Sequence, residues 1–82
     1  METRFKKDLA RSIGETLRKI RVSQSEKITQ ADIADFAGIS TRYYAYLEAG
    51  ERVPSFEVML KIAQAYDMSI SDFCKHFDNI NL

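Results

Sequence analysis

Apolar side chains recur at helical spacing along most of the chain, and no alternating run of strand type interrupts them. Phe5, Leu9, Ile13, Leu17 and Ile20 step by four, four, four and three residues and predict a helix over residues 3–22. Gly14 lies inside it, where glycine costs about 1 kcal/mol against alanine. A polar stretch, 23–27, predicts a loop. Thr29 can cap a second helix over 30–37, with Asp32 suited to its positive end and Gly38 to a left-handed C-terminus. Ser40 can cap a third helix over 41–49, ended by Gly50. Pro54-Ser55 opens a fourth over 56–66, apolar on most of its circumference and therefore expected at the centre of the packing. Ser69 followed by Asp72 reads as a capping box, with aspartate for glutamate, opening a fifth helix over 70–77. The expected fold is all-α, five short helices in one domain over 1–82, with its core in 9–77 and a loose tail at 78–82.

Composition narrows the function classes. Eighty-two residues make one small domain, and 45% hydrophobic with 29% charged residues argues against disorder. No apolar run approaches transmembrane length, and the basic N-terminal residues are not followed by the apolar run of a secretory signal. A single cysteine excludes an internal disulfide, so a cytoplasmic location is expected. The net charge of zero is weak evidence against a nucleic-acid partner, but its distribution is uneven. Residues 1–28 carry eight basic and four acidic side chains and residues 29–82 the reverse, which suggests a basic face. Cys74 and His76, two residues apart on a helix, point in different directions and have no second ligand pair. Cys74 reads as a small buried hydrophobe. No nucleophile, base and orienter can be assembled, so neither an enzyme nor a cofactor, metal or small-molecule ligand is implied.

The second and third helices are joined by three residues around Gly38, which is the helix-turn-helix pattern. Ile33 and Leu47 would fill the wedge between them, with Ala34 small where they cross and Tyr44 in phase with Leu47 in the core. A longer series extends the pattern: Ile13-Gly14-Glu15, Leu17-Arg18-Lys19-Ile20-Arg21, Thr29-Gln30-Ala31-Asp32-Ile33-Ala34 and Gly38-Ile39-Ser40. It continues with Leu47-Glu48-Ala49-Gly50, Pro54-Ser55-Phe56-Glu57, Leu60-Lys61-Ile62-Ala63 and Met68-Ser69. This series resembles the Cro and phage-repressor type of helix-turn-helix domain, the xenobiotic-response-element-like family of bacterial and phage regulators, over 13–77. Three departures stand out. The loop between Arg21 and Gln30 is about two residues longer than is usual, Tyr44 replaces a branched aliphatic core residue, and Glu51 stands where a basic residue is common.

The resemblance implies a five-helix, lambda-repressor-like domain that binds double-stranded DNA, with the third helix in the major groove. By that resemblance Thr41, Arg42, Tyr43 and Tyr46 read base edges, and Arg42 has the chemistry to pair with guanine O6 and N7. Gln30, Ser40, Arg52 and Ser55 are the expected phosphate contacts. Arg21 and Glu48 match positions that form a structural ion pair. The stripe Ile70, Phe73, Cys74 and Phe77, extended by Ile80 and Leu82, both closes the core and is the expected dimer interface. A homodimer on a palindromic operator follows, acting as repressor or autoregulator, cytoplasmic and nucleoid-associated. Two alternatives stay open: an antitoxin that also binds a partner protein, and a protein-interaction module that has lost DNA binding, which the acidic second half would favour.

Overall fold

The computed structural model describes residues 2–78 and residue 80, with side chains from residue 7 onward. Phe5, Leu82 and the rest of the expected tail, 79 and 81–82, lie outside the described side chains. Among the described residues five helices follow one another: α1 (Glu2–Val22), α2 (Gln30–Ala37), α3 (Thr41–Glu48), α4 (Phe56–Ala65) and α5 (Ile70–Lys75). The third, fourth and fifth each end one or two residues before the sequence limit, within the usual fraying of helix ends.

Hydroxyl caps start four of the helices. Thr29, Ser40, Ser55 and Ser69 have extended backbones, and each side-chain oxygen accepts a hydrogen bond from the backbone N–H three residues on. Each such cap contributes about 1 kcal/mol. The reciprocal capping box stands at Thr29 and Asp32, both bonds 3.0 Å, rather than at Ser69 and Asp72. Asp72 instead lies 3.3 Å from Lys75 Nζ, one turn on, because both side chains are exposed and of opposite charge. Gly38 (φ 73°) closes α2 in the left-handed conformation, and Asp67 (φ 58°) takes the same conformation after α4 without being glycine.

The layers run α1 on α3, α3 on α2, α2 on α4 and α4 on α5. α2 therefore stands in the middle of this order, with α3 and α4 on either side of it. Most of the apolar circumference of α4 is used: Ile62 and Ala63 are buried and Val58, Met59, Ala65 and Tyr66 pack against the core, while Phe56 is 67% exposed. Leu17, Ile33, Ala34, Tyr44, Leu47, Ile62 and Phe73 form the dry centre. Gly14 has a steric reason for its place. A methyl group there would stand 2.5 Å from the Leu47 carbonyl oxygen and 2.6 Å from that of Glu48, so glycine lets α1 touch the end of α3.

The C-terminal stripe divides differently from expectation. Phe73 is fully buried, because its face of α5 is the one that docks on the domain; it has no surface to offer a second copy. Its ring meets that of Phe77 at 5.3 Å between centroids. Ile70 and Phe77 are half-buried against the core, and Cys74 is exposed rather than buried, since it falls on the outer side of this short helix. Ile80 also packs against the core, its N–H bonded to the Phe77 carbonyl (3.1 Å).

Candidate nucleic-acid interface

The turn after Gly38 presents α3 with one face in the core and one in solvent. Tyr44 and Leu47 point inward, fully buried. Thr41 and Arg42 are exposed, and Tyr46 is half-exposed, on the outer side. Tyr43 is half-buried and packs against the core, which limits how far its ring can reach. Arg42 Nε donates to the Tyr46 hydroxyl at 2.8 Å, and its guanidinium carbon lies 5.6 Å from the centre of the Tyr46 ring. This pair was missed in the sequence, although the i, i+4 spacing that permits it is plain there.

The expected phosphate contacts cluster at helix starts. Gln30 opens α2, Ser40 caps α3 and Ser55 caps α4. The two serine oxygens accept the cap bonds, at 3.0 Å from Tyr43 and 3.2 Å from Val58, which leaves each hydroxyl proton free to donate. Arg52 is exposed in the loop before α4 and lines an open cleft with Tyr46 and Glu51, so the acidic departure sits beside the outer face of α3.

Beneath this surface lies a polar cluster. Arg21 Nε donates to Glu48 Oε2 at 2.7 Å and Arg21 Nη2 to Glu48 Oε1 at 3.0 Å, a bidentate pair between the end of α1 and the end of α3. Arg21 Nη1 also donates to the Ile28 carbonyl at 2.9 Å, which ties down the long α1–α2 loop. Gln30 Nε2 donates to Glu48 Oε1 at 2.9 Å. Gln30 is therefore not a free side chain at a helix start: one amide hydrogen is committed inward, and the other remains available. Nothing in the local sequence signals this contact, because Gln30 and Glu48 meet only through the packing of α2 on α3.

Burial alone would push the Glu48 carboxyl up, but the Arg21 guanidinium, with the Gln30 amide, outweighs it and holds the group below the ordinary carboxylate range. Tyr44 and Tyr66 bring their hydroxyls into the same region, both buried and, among the described residues, neither with a hydrogen-bond partner. Burial pushes both phenols up, with the negative charge of Glu48 adding to it; Tyr66 reaches about 12. Among the described residues no group of three or more metal-ligating side chains is assembled, and no helix is long and apolar enough to cross a membrane.

Five helices, a glycine turn between α2 and α3, and an outward polar and aromatic face on α3 define a helix-turn-helix protein. The profile of the Helix-turn-helix family matches residues 17–73, and the chain belongs to that family. Its relatives include a cryptic phage CTXphi transcriptional repressor, RstR, of Vibrio cholerae serotype O1, 46% identical over 46 residues. That match covers 56% of this chain and 41% of the repressor. Another is an uncharacterized HTH-type transcriptional regulator, YqaE, of Bacillus subtilis, 32% identical over 65 residues, covering 79% of this chain and 54% of the regulator. The chain thus spans about half the length of these curated relatives.

Proposed function

We propose that the protein is a sequence-specific regulator of transcription that binds double-stranded DNA, a repressor or autoregulator acting as a homodimer on a palindromic operator. The observation that carries this reading is the outer face of α3. Thr41, Arg42 and Tyr46 are turned to solvent on a helix of the family in which that element enters the major groove, and the family relatives are named as transcriptional regulators. In this reading Thr41 and Arg42 meet base edges with Tyr46, Tyr43 contributes the exposed edge of a half-buried ring, and Ser40 and Ser55 donate to phosphates. Gln30 uses its second amide hydrogen, with the α2 N-terminus, to grip a phosphate. Arg52 adds a cation from the loop. Ile70, Cys74 and Phe77 remain as the accessible part of a C-terminal dimer surface, without Phe73.

Selection of bound duplexes from a random library at moderate salt tests the proposal. An enriched palindrome with half-sites about one helical turn apart is the expected result. A folded protein that enriches nothing overturns it and leaves the protein-interaction alternative.

A further inference from the structure

We propose that Tyr46 is a positioning residue for Arg42, which fixes the guanidinium so that its terminal fork, and not its Nε edge, selects a guanine. The inference rests on α3 being the base-reading helix. A guanidinium has five N–H donors, one on Nε and two on each terminal nitrogen. In the protein the Nε donor is already committed to the Tyr46 hydroxyl at 2.8 Å, and the guanidinium lies over the Tyr46 ring. Among the described residues no carboxylate stands within ion-pair distance of Arg42 to draw the fork elsewhere. What remains is the pair of terminal nitrogens, whose parallel hydrogens match the O6 and N7 acceptors of guanine.

The i, i+4 spacing keeps the two side chains on one face through any motion of the helix as a body. The helix is itself clamped at both ends, by the Ser40 cap and by Glu48 through Arg21. Arginine otherwise has many rotamers, so a ring and a hydroxyl that hold one of them raise the share of chains ready to read. Tyr46 spends its acceptor on Arg42. Its contribution to specificity therefore runs through Arg42, and its removal affects the base that Arg42 reads.

The test measures binding of wild type, Tyr46→Phe, Arg42→Ala and the double variant. The probes are the selected duplex, the four duplexes that vary the base pair read by Arg42, and a random duplex. Thermal melts check that each variant is folded. Wild type should prefer guanine at that position by roughly 5- to 150-fold. Tyr46→Phe keeps the ring and loses the acceptor; it should cut that preference by about 3- to 10-fold, weaken binding to the random duplex by less than that, and take nothing further from the guanine preference in the Arg42→Ala background. Equal loss on every duplex makes Tyr46 a phosphate contact and overturns the proposal, as does an unchanged guanine preference in Tyr46→Phe. If the folded wild type selects no duplex at all, the DNA-binding reading itself has failed.

Discussion

Arg21 and Glu48, far apart in the chain, form a bidentate ion pair with its shorter bond at 2.7 Å, and the Glu48 side chain is only 3% exposed. The pair joins the first helix to the end of the third, and through Gln30 it also reaches the start of the second. One carboxylate therefore sets the mutual pose of three helices, two of which carry the proposed DNA contacts.

Breaking that pair should be costly. Glu48→Leu leaves the part-buried Arg21 guanidinium without its counter-charge, and Arg21→Met leaves the buried Glu48 carboxylate without its own; each is expected to lose about 3 kcal/mol in urea unfolding. The double variant should recover most of the loss, since an apolar pair of similar volume replaces two charges together. If the two losses simply add, the pair is not the unit described.

The depressed Glu48 carboxyl gives an acid-side dependence. The group binds fewer protons folded than unfolded, so its stabilisation is complete above the ordinary carboxylate value of about 4.3 and is lost as pH falls through the lower folded-state value. Asp32, held down by the Thr29 backbone N–H, acts in the same sense. Denaturation midpoints taken between pH 6 and pH 3 should fall more gently in Glu48→Gln than in wild type.

On the alkaline side the sign reverses. Tyr44 and Tyr66 favour the neutral phenol when folded, so their contribution is intact below the unfolded value near 10 and is lost as pH rises toward about 12, the Tyr66 value. Both hydroxyls are buried without partners among the described residues, and a lone buried hydroxyl is destabilising by about 1–3 kcal/mol. Tyr66→Phe should unfold no more easily than wild type at pH 7 and should resist alkaline unfolding better. A clear loss at pH 7 would show that the Tyr66 hydroxyl has a partner.

Gly14→Ala sets helix propensity against steric fit. Alanine gains about 1 kcal/mol in an open helix. Here its methyl would press on two carbonyl oxygens at 2.5 and 2.6 Å, both backbone atoms of α3. Overpacking of this kind costs about 1–3 kcal/mol and has to exceed the propensity gain, so the melting temperature should drop.

Asp67→Gly should do the opposite. Asp67 is held at φ 58° by the end of α4, with its N–H on the Gln64 carbonyl and that of Met68 on Ala63, each 2.9 Å. A left-handed residue with a Cβ costs about 1–2 kcal/mol, which glycine avoids at the expense of some unfolded-state entropy. A rise of a few degrees in thermal unfolding is expected.

The sequence by itself determined the helices and the turn. Stripes at 3.6-residue spacing, hydroxyl caps at Thr29, Ser40, Ser55 and Ser69, and Gly38 are local signals, and local hydrogen bonds and backbone sterics obey them whatever the rest of the chain does. The outer face of α3 was legible for the same reason, since helical phase alone separates Thr41, Arg42 and Tyr46 from Tyr44 and Leu47. Tertiary structure decided what depends on which helices touch. The apolar circumference of α4 gave no sign that Phe56 would remain exposed, and the stripe on α5 could not tell a core residue, Phe73, from an exposed one, Cys74. Gly14 looked like a weak point until α3 came within a methyl radius of it. Gln30 looked free until Glu48 arrived from the end of α3. Periodicity states that a side chain is apolar and which way it faces along its own helix; only the packing of one helix on another supplies the partner.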